Sequence, residues 1–170
     1  MSESSANDHI EILIKTATET AESFVDAYYT ALQASRPTIS SYYVPRETLP
    51  DGKIVPIIVW NGNSIETAAA FQEMFEKEMP FMHYEVQALD CHVMNPGDSA
   101  VDDTSKAAEK KISIIVAING FVRLAEAREG PTKGFSESIV LAPNPEKALK
   151  GPKAATRAWL IQSQVFRYVV

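Results

Sequence analysis

Cysteine is nearly missing: the 170 residues hold one, Cys91, so no disulfide can close within the chain. No apolar run approaches the roughly 20 residues needed to cross a bilayer. The amino terminus, MSESSANDHI, has neither the basic start nor the apolar core of a signal peptide. These absences point to a cytosolic or nuclear compartment and to no membrane partner. The phosphate-cradling patterns GxxxxGK and GxGxxG do not occur, nor does the GxSxG elbow of many hydrolases. Basic residues are outnumbered, 16 against 22 acidic, and the net charge of −6 disfavours a general polyanion-binding surface. No internal repeat is visible. What is present, 45% hydrophobic and 22% charged residues, suits one globular domain with a substantial core.

Residues 1–9 read as a flexible amino terminus and 10–170 as a single domain. From Ile10 a helical stripe runs through Leu13, Ile14, Ala17, Ala21, Phe24, Val25, Tyr28 and Leu32, with Asp8 and Glu11 spaced as a capping box. Glu11, Glu19, Glu22 and Asp26 form its solvated acidic face. The helix stops before Pro37, and a short second helix is expected from Pro37 to Val44 with Ser35 as its cap. Loops are expected at 44–53, 95–110 and 142–156. Asp51-Gly52 marks a turn, and Ile54 to Trp60 reads as a strand with Pro56 near its start or on an edge. Asn61-Gly62 then closes a hairpin, because this pair favours positive φ at both central turn positions. Ile65, Ala68, Phe71, Phe75 and Met79 mark a third helix ending before Pro80.

Between Met82 and Met94 the apolar positions alternate as Tyr84, Val86 and Ala88, then switch parity to Leu89, Cys91 and Val93. A one-residue shift of face is the mark of a β-bulge, so a long bent strand is expected. Lys111 to Leu124, Phe135 to Leu141 and Trp159 to Val169 read as further strands. In the first of these, Ile112, Ile114, Val116 and Ile118 share one face, and Ile115 and Ala117 the other. A strand apolar on both faces requires a cover on the second, either a helix or another subunit. Three helices followed by a mainly antiparallel sheet indicate an α+β fold.

Metal binding fails on geometry: His83 and Cys91 lie on one strand and are about 26 Å apart at roughly 3.3 Å per residue. His92 points away from Cys91. Asp26, Tyr28, Tyr42, His83 and Asp90 are the residues from which an acid-base site could be assembled in a hollow of the fold, on residue type alone. Lys147, Lys150, Lys153 and Arg157 gather in one segment, and are candidates for weak contact with RNA backbone or an accessory partner. Arg167 alternates with Phe166 and Tyr168. If those two fill the core, Arg167 projects from the opposite sheet face with Val165, where Ile114, Val116 and Ile118 are expected to join it. An arginine among aliphatics suits a subunit interface, where its planar fork can meet a carboxylate.

The segments IIVWNGNSI, FQEMFEKEMP, ALDCH and QVFRY, in this order with three helices, resemble the nuclear transport factor 2-like family, and within it the small subunits of the heterodimeric mRNA export receptor. The similarity spans about Ile10 to Tyr168. It implies a cone of three helices on a strongly curved sheet whose open face packs on a large subunit of matching fold. The interface it implies comprises Ile114, Val116, Ile118, Ser136, Ser138, Val140, Val165 and Arg167, with Arg167 paired to an acidic residue of the large subunit. The three long loops resemble those of the fungal members. The resemblance implies a non-enzymatic role without cofactor or metal: the heterodimer carries messenger ribonucleoprotein through nuclear pores by binding nucleoporins, and shuttles between nucleus and cytoplasm. A homodimeric carrier of the same fold, or an isomerase or dehydratase built in its cavity, are the alternatives.

Overall fold

Helical spacing of apolar residues sets the first element, α1 (Glu3–Ala34), which buries Leu13, Ala17, Ala21, Phe24, Val25, Tyr28 and Leu32 along one stripe. The computed structural model describes residues 3–95, 112–124, 130–145 and 157–169. The helix begins at Glu3, ahead of the expected Ile10, so Asp8 lies within it and does not cap it. Ile10 and Ile14, expected on the buried stripe, are exposed. A 3-10 helix (Arg36–Tyr42) follows, with Pro37 in its first turn. Ser35 precedes it but makes no side-chain cap bond; its carbonyl instead accepts from Thr38 N at 2.9 Å.

The stretch expected as a loop at 44–53 carries a small hairpin, β1 (Glu47–Thr48) paired with β2 (Ile54–Val55) across the Asp51-Gly52 turn. The run from Ile54 to Trp60, expected as one strand, divides at Pro56, which has no N–H to donate to a ladder; the Val55–Pro56 bond is cis. Beyond it β3 (Ile57–Trp60) turns through Asn61 (φ 46°) and Gly62 (φ 86°) into β4 (Asn63–Ile65), as the Asn-Gly pair requires. Helix α2 (Ala68–Lys77) starts at Thr67, whose hydroxyl accepts from Ala70 N at 3.0 Å, and buries Phe71 and Phe75.

The remaining strands are β5 (His83–Val93), β6 (Ile114–Arg123), β7 (Thr132–Pro143) and β8 (Trp159–Val169). They form with β3 and β4 a six-stranded sheet in the order β4-β3-β8-β7-β6-β5, antiparallel except for β3 beside β8. The parity switch expected after Ala88 falls earlier, as a bulge between Val86 and Ala88, so Ala88 lies on the face away from Tyr84. Gly120 faces it, and a Cβ there would lie 2.1 Å from the Glu85 carbonyl oxygen, so the bulge and the glycine require each other. A second register shift falls between Val140 and Leu141.

Both helices pack on one side of this sheet: α1 against β5 and β6, α2 against the 3-10 helix and β4. Trp60 stacks on Phe166 at 3.8 Å between ring centres and meets Phe71 and Phe75 edge-on or tilted, which ties β3 and β8 to α2. Trp60 thus anchors β3 against α2.

Candidate docking face of the sheet

Cross-strand register decides which side chains share a face, because residues directly opposite in neighbouring strands point the same way. On the side away from the helices one row reads Val59, Val165, Ser138, Ala117, Asp90, and the next Ile57, Ser163, Val140, Ile115, His92. On the other flank lie Arg167, Ser136, Asn119 and Ala88, then Val169, Gly134, Phe121 and Glu85. The two rows first named make an apolar belt across four strands. Ile57, Val165, Phe121 and Val169 keep 37%, 43%, 47% and 54% of their surface in contact with solvent. Ile57 and Val165 belong to the belt, whereas Phe121 and Val169 lie beyond the row of Arg167; exposed apolar residues grouped in this way are common where proteins meet.

Arg167 stands at the edge of this belt, exposed, and makes no hydrogen bond or ion pair among the described residues. Glu85 and Asp90 of β5 lie at the far edge of this face, with Arg123 of β6 on the same face, opposite His83. A planar guanidinium can accept a carboxylate through two parallel hydrogen bonds, which strengthen as their surroundings lose water.

Five residues of the expected interface, Ser136, Ser138, Val140, Val165 and Arg167, lie on this open face. Ile114, Val116 and Ile118 do not. Each is fully buried on the opposite face, in the core. The correction follows from register: Arg167 lies opposite Ser136, and Ser136 opposite Asn119, so the residues of β6 that share the face of Arg167 are Ile115, Ala117, Asn119 and Phe121. Because β6 is apolar on both sides, periodicity alone could not assign its faces. Sequence reasoning also missed Ile57, Val59 and Val169. For the first two no local signal existed, since the parallel pairing of β3 with β8 joins segments a hundred residues apart.

The inner side of the same two central strands carries a polar cluster. Glu137 of β7, 2% exposed, accepts from Tyr29 Oη at 2.8 Å and from Gln164 Nε2 at 2.9 Å. Gln164 Nε2 also donates to Tyr28 Oη at 2.8 Å, and its Oε1 accepts from Tyr43 Oη at 2.5 Å. Burial is the largest influence on Glu137 and pushes its carboxyl up to about 7, with the bonds from Gln164 and Tyr29 opposing. Burial likewise drives Tyr28, Tyr29, Tyr43 and Tyr84 well above the usual phenol range. A signal for this cluster was present: Glu137 shares the parity of Phe135, Ile139 and Leu141, and Gln164 that of Phe166.

The acid-base candidates do not converge. Asp26, His83 and Asp90 are exposed, whereas Tyr28 and Tyr42 are buried in the core. Tyr42 Oη donates to the Ala27 carbonyl at 3.0 Å. Cys91 and His92 point to opposite faces, as expected, with His92 beside Asp90 at 3.2 Å. Among the described residues no group of His, Cys, Asp and Glu could hold a metal ion, and no helix is long and apolar enough to cross a membrane. Lys147, Lys150 and Lys153 lie outside the described residues, as do most of the segments expected as loops at 95–110 and 142–156. Arg157 is half-buried, with its guanidinium 3.5 Å from the centre of the Tyr42 ring and Nη1 donating to Ser41 Oγ at 2.9 Å. It borders a hollow of about 420 Å³ with Phe24 and Trp159.

A chain of the solved structure described as "Chaetomium thermophilum Mex67 NTF2-like domain complexed with Mtr2" superposes with a TM-score of 0.69 over 89% of this chain and 98% of that one, at 21% identity. The chain has the nuclear transport factor 2-like fold. The structure described as "Structure of Mtr2" matches at a TM-score of 0.65 and 20% identity, over 89% of this chain and 98% of that chain. Among curated proteins, "NTF2-related export protein 1" of Bos taurus is 24% identical over 152 residues, 89% of this chain and 88% of its own length. "NTF2-related export protein 2" of Homo sapiens is 23% identical over 155 residues, 91% and 89%. No protein-family model matches the chain. The resemblance read from the sequence is matched by these relatives, whose names are those of export proteins.

Proposed function

We infer that this chain is the small, non-enzymatic subunit of a heterodimeric mRNA export receptor, and that its open sheet face docks on a large subunit of matching fold. The observation that carries the reading is the uncovered apolar belt with Arg167 at its edge, on a fold whose solved relatives are described as Mex67 and Mtr2 in complex. Docking buries the belt made by Ile57, Val59, Val165, Val140, Ile115 and Ala117, and the large subunit supplies a carboxylate to Arg167. The heterodimer binds nucleoporins and carries messenger ribonucleoprotein through nuclear pores, so the protein resides in the nucleus and at the pore and shuttles to the cytoplasm. Lys147, Lys150, Lys153 and Arg157 add a weak RNA or accessory contact.

Co-expression with a large subunit of the Mex67 type tests this. A stable 1:1 complex is expected by size-exclusion chromatography with light scattering. Arg167→Asp should weaken it by about 2–5 kcal/mol, because the partner carboxylate is left buried against like charge. Ala117→Glu, on the corrected face, should do the same. A stable homodimer that ignores the large subunit would overturn the reading and favour a homodimeric carrier of this fold.

A further inference from the structure

The buried cluster behind the docking face has a hydrogen inventory that can be closed. Tyr43 gives its proton to Gln164 Oε1, so at the 2.9 Å contact between the Tyr28 and Tyr43 hydroxyls the donor is Tyr28. Both amide hydrogens of Gln164 are used, on Glu137 and on Tyr28. Glu137 therefore receives two neutral donors, from Gln164 and Tyr29, and no cation. The titratable groups facing it are Tyr28 and Tyr29 from α1, Tyr43 from the end of the 3-10 helix, and Tyr84 from β5. β8 contributes neutral Gln164, and β6 contributes Ile118 directly opposite. Arg36 acts on Tyr84 and does not reach the carboxyl.

An ionised carboxylate has about four acceptor sites, and here two are filled. A buried charge so poorly compensated is costly, whereas a protonated carboxyl keeps the bond from Gln164 and gives its hydrogen to the Tyr29 hydroxyl oxygen, which leaves the Tyr29 hydrogen without its present acceptor but no charge in the core. We propose that Glu137 is a proton-linked lock between α1 and the two central strands of the sheet, closed while it is protonated and loosened when it ionises. The lock joins Tyr29 of α1 and Tyr43 of the following segment to β7 and β8, whose other side is the open face. It stands independently of what docks there.

Glu137 in the folded chain titrates at about 7, against 4.5 for the free side chain. The folded state therefore holds a proton that the unfolded chain has lost, and stability falls as pH rises from about 4.5 to about 7, then levels. Urea unfolding between pH 5 and pH 8, for the natural chain and for Glu137→Gln, reads this. The amide keeps a neutral cluster at every pH, so the unfolding constant of the natural chain should rise relative to the variant by roughly 50- to 100-fold across that range. Parallel pH profiles would overturn the proposal. Should the variant fold poorly, the carboxyl carbon resonance of Glu137 in the natural chain decides: a midpoint near neutrality supports the lock, and one below about 5.5 refutes it.

Discussion

Replacing Arg36 by Met keeps the length of the side chain and removes a clasp between two helix ends. Its Nε donates to the Leu32 carbonyl of α1 at 3.0 Å, and Nη1 to the carbonyls of Phe75 and Met79 at 2.6 and 2.8 Å. Nη2 reaches the Pro80 carbonyl at 2.5 Å, and the guanidinium sits 5.4 Å from the Phe75 ring centre. The last carbonyls of a helix have no partner within it, and a cation there also meets the negative end of the dipole. Hydrogen bonds from a charged donor contribute about 1.5–3 kcal/mol each, so four would sum to roughly 6–12. The site is only partly buried, water takes over some of the carbonyls, and bonds from one planar group are not additive, which reduces the expected loss to about 3 kcal/mol. With a urea m-value near 2 kcal/mol/M, the midpoint should fall by about 1.5 M at unchanged slope. Arg36→Lys should recover less than half, since one ammonium cannot span carbonyls from two helices in a plane. A midpoint shift under about 0.5 M for Arg36→Met would refute the clasp.

Gly120→Ala sets a methyl group against the Glu85 carbonyl oxygen, and should cost about 2 kcal/mol or more in urea unfolding while perturbing the amide resonances of Val86 to Ala88; an effect below about 0.5 kcal/mol would show that the β5 bulge does not need the glycine. Burial holds the phenols of Tyr28, Tyr29, Tyr43 and Tyr84 protonated past the usual range, so absorbance near 295 nm should show these four ionising only as the chain unfolds in alkali. Their raised folded-state values mean that stability is lost as pH climbs above about 10, a decline that far-UV circular dichroism should follow in step with the absorbance.

Local pattern carried much of the fold. The 3.6-residue spacing from Leu13 to Leu32, the Asn61-Gly62 turn, and the parity switch between Val86 and Leu89 each express one physical preference that acts within a few residues, and each has its element in the structure. The residues that named the fold family were equally local: Trp60 beside its turn, and the alternation of Phe166, Arg167 and Tyr168, which alone places Arg167 opposite the core. Local pattern failed where two answers were equally apolar. Ile114, Val116 and Ile118 compete with Ile115 and Ala117 for the same face, and both sets satisfy the period of a strand.

By itself, then, the sequence determined that three helices and a mainly antiparallel sheet would form, that the strand after Met82 would carry a bulge, and that Arg167 would point away from Phe166. Only the tertiary structure decided which side of β6 joins Arg167, because register is set by pairing between strands distant in the chain and not by either strand alone. It also decided that Arg36 closes two helices, and that Glu137, Gln164 and three tyrosines from four segments share their protons. Hydrogen bonds reach about 3 Å and burial depends on every neighbour at once, so such groups acquire their chemistry only when the folded chain brings them together.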